Sequence, residues 1–308
     1  MTETDQSTTD QTTGGGSRPL PGAAAAETAR RVFAESRLAL LGLVITVGVV
    51  IVAAFAPVIA PYDPTAQNIA EAQLLAPSLE HPMGTDQLGR DVLSRVLYGA
   101  QLSIQVGVIA VGVAMLAGVP LGLVAGFYGG YTDETVMRAM DVVFSFPAIL
   151  LAIAMVAILG QSTFNVMLAI GITYTPIFAR VTRSGVLSVR EETFVDAARA
   201  IGDSNASILA RDILPNVVAP IIVQATVSLA FAILAESALS FLGLGAPPPA
   251  PSWGRMLSDS RNFMESAPWT ALFPGLAIMV TILGFNFLGD GLRDTLDPQN
   301  DTESGGSI

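Results

Sequence analysis

The chain has 308 residues, 51% hydrophobic and 13% charged, with 26 acidic against 15 basic residues and a net charge of −11. A soluble domain carries about 25% charged residues, so charge is too sparse here to cover a water-facing surface and the membrane class leads. The acidic balance argues against a nucleic-acid partner, and the absence of cysteine excludes a disulfide framework and thiolate metal sites.

Every basic residue is an arginine. Acidic tails on an apolar, lysine-free chain suggest a halophile with a high-salt cytoplasm. A GC-rich genome also favours arginine over lysine, so both explanations stand.

Residues 1–26 are polar and of low complexity, rich in Thr, Gln, Asp and Gly. They cannot bury a core, which predicts a disordered acidic N-terminal tail. They lack the basic and apolar regions of a signal peptide, so no cleavage is expected. Residues 27–37, with Arg30, Arg31, Val32, Phe33 and Arg37, read either as an amphipathic approach to the membrane or as more tail.

Charge then vanishes over 38–61, 96–132, 142–179, 213–235 and 266–289. A spanning helix needs about 20 residues at about 1.5 Å each. The interval 142–179 is too long for one span and divides at the polar turn Gly160–Thr163. The interval 96–132 reads as one tilted helix ending at Tyr128-Gly129-Gly130-Tyr131. Six spans are predicted: 38–60, 102–127, 142–159, 164–182, 213–243 and 270–289. Pro120, Pro147, Pro176, Pro220 and Pro274 fall within them, as hinges or as ordinary packing. With the N-terminus inside, Arg90, Arg95, Arg255 and Arg261 lie outside and the other arginines inside. That asymmetry predicts both termini in the cytoplasm.

The most informative segment is polar. Residues 191–201 read as a helix with acidic residues in its first turn, favourable against the helix dipole. Gly202 can take the left-handed cap, and Asp203 or Ser204 can cap the next helix. Ala197 and Ala198 leave a shallow surface that another protein could approach. The plainer alternative is a connector lying along the membrane.

Asp196-Ala197-Ala198, three residues, Gly202, then a run ending in Leu214-Pro215 resembles the EAA loop of ABC importer permeases, with Asp196 where Glu is usual. His81–Asp91, Leu239–Gly245, Pro251–Arg255 and Asn286–Asp294 resemble blocks of the dipeptide/oligopeptide/nickel permease family, C-subunit type. The resemblance covers nearly the whole chain beyond the N-terminal tail. It implies an all-α membrane protein of six transmembrane helices with the type I ABC importer permease fold. A six-span permease domain would cover 38–295, with a coupling loop at 190–212 and a C-terminal tail at 296–308. It also implies a homologous second permease, two ATPase subunits beneath, the coupling loop docking in a cleft of an ATPase subunit, and an extracytoplasmic solute-binding protein, all at the cell membrane. The substrate class it implies is di- or oligopeptide, with nickel, glutathione or oligosaccharide as alternatives.

No phosphate-binding loop with a Gly-Lys-Ser/Thr ending occurs. No cofactor is therefore expected on this chain, and ATP with Mg would be handled by the partner ATPases. His81 with Asp86 could suggest a catalytic pair, but a turn at Pro82 and Gly84 explains the segment more simply. Glu236, inside an apolar span, is a weak candidate for the substrate path; the alternative is a structural carboxylate bonded to the segment after it. Asp141 sits at a span end, and Trp253 and Trp269 read as interface anchors. An ion-coupled secondary transporter is the rival class, for which Glu236 alone is a clear coupling candidate.

Overall fold

The computed structural model describes residues 37–296. The predicted segments 1–26, 27–37 and 296–308 lie outside that range except for their boundary residues. The long elements are α1 (Arg37–Ile59), α2 (Val92–Tyr128), α3 (Gly130–Phe144), α4 (Ala148–Leu159), α5 (Thr163–Val189), α6 (Thr193–Ala200), α7 (Leu214–Phe241), α8 (Trp253–Ser260) and α9 (Trp269–Leu296). A short turn, Asn205–Ser207, and a π-helical turn, Ile208–Ile213, lead into α7. Among the described residues, five helices are long and apolar enough to cross a membrane, or six if α3 and α4 count as one bent span.

The second span is longer than predicted. α2 begins at Val92 and runs for 37 residues, about 55 Å against a hydrocarbon core of about 30 Å. Asp91 caps it, accepting from the Ser94 backbone N–H at 2.7 Å and the Ser94 hydroxyl at 2.8 Å. Arg95 blocks a hydropathy-based assignment of this start, yet in the fold its charge faces Asp86. The far end of α2 stops at Gly129, as the sequence implies.

The third span also differs. The helix breaks at residues 145–147, and α3 and α4 meet at an 85° bend. Pro147, at the N-cap of α4, supplies no N–H and disfavours helix at Phe146 before it. The 12 residues of α4 cover about 18 Å, less than the hydrocarbon thickness. Pro120, Pro176, Pro220 and Pro274 remain inside continuous helices.

The pair α2–α5 forms the most extensive helix contact and α1–α9 the next, with α7 packed against α2, α5 and α9. The α2–α5 approach depends on absent side chains: a Cβ at Gly118 or Gly122 would run into the backbone of Thr175 or Ala179. Such small residues let helices pack where lipid gives no hydrophobic drive. One buried cluster includes Val106, Ala110, Ile170, Phe178 and Val217; a second joins Ala53, Val92, Ile233, Trp253 and Phe285.

Trp253 is buried and Trp269 half-buried, and both indoles bond within the protein. Trp253 is 2% exposed and donates from Nε1 to the Val96 carbonyl at 2.9 Å. Trp269 donates to the Thr85 carbonyl at 3.1 Å. Each indole N–H ties two segments together.

Candidate functional site

The polar segment after α5 folds as a fixed elbow. Arg190 ties its start to the end of α2: Nη1 donates to the Gly126 carbonyl at 2.8 Å, and Nε to Glu191 at 2.9 Å. α6 follows, with Asp196 in its first turn and Arg199 in its last, both favourable to the helix dipole. It ends in a full Schellman motif. The Gly202 N–H donates to the Arg199 carbonyl and the Asp203 N–H to the Ala198 carbonyl, both at 3.1 Å. Gly202 sits at φ +87°, a conformation that side-chain-bearing residues rarely adopt. Ser204, one of the two predicted caps, accepts from the Ser207 N–H at 3.2 Å.

Asp196, Ala197, Ala198 and Gly202 thus gather on one short helix and its cap. Leu214 and Pro215 lie further along, where the π-helical turn gives way to α7. Pro215 withholds an N–H from the ladder there, and the Leu214 N–H bonds back to Leu209 with the wider π spacing.

One expectation is corrected. Ala198 is only 8% exposed and Val195 fully buried; both belong to the cluster holding Phe127, Val186, Ile208 and Ile213. The amphipathic helix closes this face on its own chain. The face left open carries Phe194, 44% exposed, Ala197, and Ile201, 80% exposed. Their i, i+3, i+7 spacing makes one stripe, which the alanine motif alone does not reveal. The Arg199 guanidinium lies 5.7 Å from the Phe127 ring centre and pairs with Asp196 at 3.1 Å.

A two-rung ion ladder steadies α3 beside this elbow. Arg183 reaches Asp133 with Nε at 2.5 Å and Nη2 at 2.6 Å, and Arg180 reaches Asp141 at 2.7 Å. Asp133 and Asp141 on α3 each meet an arginine on α5, a pairing that sequence separation hides.

Glu236 sits near the other end of α7 and is 1% exposed. It accepts from Ser240 at 2.6 Å, Ser252 at 3.1 Å and Ser237 at 3.5 Å. Ser252 also caps α8, so the carboxylate ties α8 to α7. A recess of ≈ 270 Å³ between α4, α5 and α7 is lined by Ile149, Tyr174, Phe231 and Ala238 among others, and Glu236 does not line it. The suggested pairing of His81 with Asp86 is not formed: His81 Nδ1 lies 2.9 Å from Asp91, and Asp86 is held by Arg90 at 2.6 Å.

Long apolar helices with a capped, polar elbow between two of them define a polytopic membrane protein. The chain belongs to the family of binding-protein-dependent transport system inner membrane components, whose model matches residues 118–301. The model for the N-terminal TM domain of oligopeptide transport permease C matches residues 26–77. Relatives include a dipeptide transport system permease protein, DppC, of Alkalihalophilus pseudofirmus, 52% identical over 86% of this chain and 87% of that protein. The glutathione transport system permease GsiD of Escherichia coli is 48% identical over 87% of this chain and 89% of that protein. The MetNI methionine ABC transporter, solved in inward-facing conformations, has a chain with the same fold: TM-score 0.54 at 18% identity, covering 65% of this chain and 96% of that one. The protein is an ABC importer permease with the type I fold.

Proposed function

We infer that this permease imports di- or oligopeptides as one half of a translocation path shared with a homologous second permease. The observation that carries the substrate class is the 52% identity to a dipeptide permease across nearly the full length of both chains. Two ATPase subunits bind beneath the permease pair, this chain's elbow docks on one of them and lies in the cytoplasm with both termini, and a solute-binding protein delivers substrate from outside. ATP and Mg are bound by those ATPases, and this chain carries out no hydrolysis itself.

The elbow geometry supports the coupling role. A docking helix must transmit force, so it must not slide on its own chain. Arg190, the Gly202 cap and the buried Val195–Ala198 face fix α6 to the end of α2 and to the Ile208–Ile213 turn, leaving Phe194, Ala197 and Ile201 for the partner. Asp196 and Arg199 pair with each other on the side of the helix away from that stripe. Leu214 and Pro215 join the elbow to α7, so motion at α6 passes directly into a span.

The relatives at 48% identity favour one second reading, glutathione, itself a small peptide. Uptake of radiolabelled dipeptide by vesicles holding the assembled importer tests the proposal. Competition by unlabelled dipeptides but not glutathione supports the first reading; the reverse supports the second. Transport of neither overturns the substrate class.

A further inference from the structure

At the far end of α2 from the elbow, a charged joint fastens the loop 60–91 to α2 and α8. Arg95 is 1% exposed and donates from Nη1 to the Pro64 carbonyl at 3.0 Å. Among the described residues its Nε has no hydrogen-bond partner. Asp86 Oδ2 stands 3.6 Å from it and already accepts from Arg90 Nε at 2.6 Å. A second pair in the joint is separated by the same gap, with Arg90 Nη2 3.6 Å from Asp259 Oδ2. Polar groups that face each other beyond about 3.5 Å commonly have a water between them.

A void lies among these groups, lined by Asp86, Val92, Arg95, Met256, Asp259 and Ser260 among others. Its volume, counted as space open to the centre of a water-sized sphere, is ≈ 10 Å³. One water needs about 10–15 Å³ by that measure and 2–4 polar partners. The void therefore has room for one water and no second. Its lining offers one unused donor, Arg95 Nε, and two carboxylates with lone pairs to spare. An anion would meet both carboxylates, and a cation would meet the Arg95 guanidinium. A neutral molecule that accepts from one side and donates to the other fits the charge pattern.

We propose that this void binds a single ordered water, which accepts from Arg95 Nε and donates to Asp86 and Asp259. The water completes a joint between loop 60–91 and α8, two segments more than 150 residues apart in the chain. It satisfies the buried Arg95 Nε–H, which has no other partner among the described residues and would otherwise be costly.

A density map of the full-length protein in its native assembly, at a resolution showing ordered water and with bromide replacing chloride, tests this. The expected result is one peak within hydrogen-bond distance of Arg95 Nε, without bromide signal. An empty void or a bromide peak overturns the proposal. Val92→Ile supplies a second test, because Val92 is fully buried and borders the void. If water is bound, the added methyl displaces it, the peak vanishes and Tm falls. If the void is dry, the methyl fills it and Tm rises, which overturns the proposal even without a map.

Discussion

Replacing Ile201 with alanine separates docking from folding. The side chain is 80% exposed in this chain, so its removal takes little from the permease itself. Ile→Ala deletes three carbon groups, each contributing about 0.8 kcal/mol when buried. Scaled by the exposed share, burial against an ATPase would contribute roughly 2 kcal/mol, or roughly 30-fold in affinity. The matched control is Ala198→Glu. Ala198 is 8% exposed and packed within its own chain, so a glutamate there forces a charge into the elbow's inner face and disrupts the permease before any partner binds. The assay is titration of purified ATPase onto permease in nanodiscs, with permease abundance and Tm measured alongside. Ile201→Ala should weaken ATPase binding about 30-fold at unchanged permease Tm, whereas Ala198→Glu should lower Tm or abundance. Undiminished ATPase affinity in Ile201→Ala would refute the assignment of this stripe as the docking face.

Gly202→Val places a β-branched residue at φ +87°, costing about 1–2 kcal/mol at the cap; substrate-stimulated ATP hydrolysis in the complex should fall, and unchanged coupling would count against a rigid elbow. Glu236→Gln keeps acceptor capacity for Ser240 and Ser252 and should leave transport near normal, while Glu236→Leu strands both buried hydroxyls and should speed proteolysis around α8. Equal transport loss in both variants would instead point to a role for the charge itself. Because the chain has no cysteine, single cysteines at the exposed positions Ser78 and Ser204 test topology: an impermeant label added outside intact cells should reach 78 and not 204, and the reverse would invert the orientation.

Much of the helical frame was legible because uncharged intervals of span length have few other uses. The departures have local causes. Arg95 hid the true start of α2, since a hydropathy reading cannot know that Asp86 and the Pro64 carbonyl receive its guanidinium. Pro147 was visible as a residue but not as the cause of an 85° bend, because membrane helices also absorb prolines without breaking, as Pro120 and Pro176 do. At the elbow, Gly202 and Ser204 were readable from cap chemistry. The division of α6 into an inner face at Val195 and Ala198 and an outer face at Phe194, Ala197 and Ile201 was not. A two-turn helix fixes which residues share a face, but only the approach of the Ile208–Ile213 turn decides which face is covered. The ties made by Trp253, Trp269 and Glu236 are equally non-local, joining residues to partners that sequence order does not reveal.

Transport by proteoliposomes holding this chain and its partner permease, with and without the ATPase subunits, tests the central claim most directly. Peptide uptake should require the ATPases, ATP and binding protein together, and should persist when ionophores collapse every ion gradient. Uptake driven by an ion gradient in vesicles lacking the ATPases would contradict it.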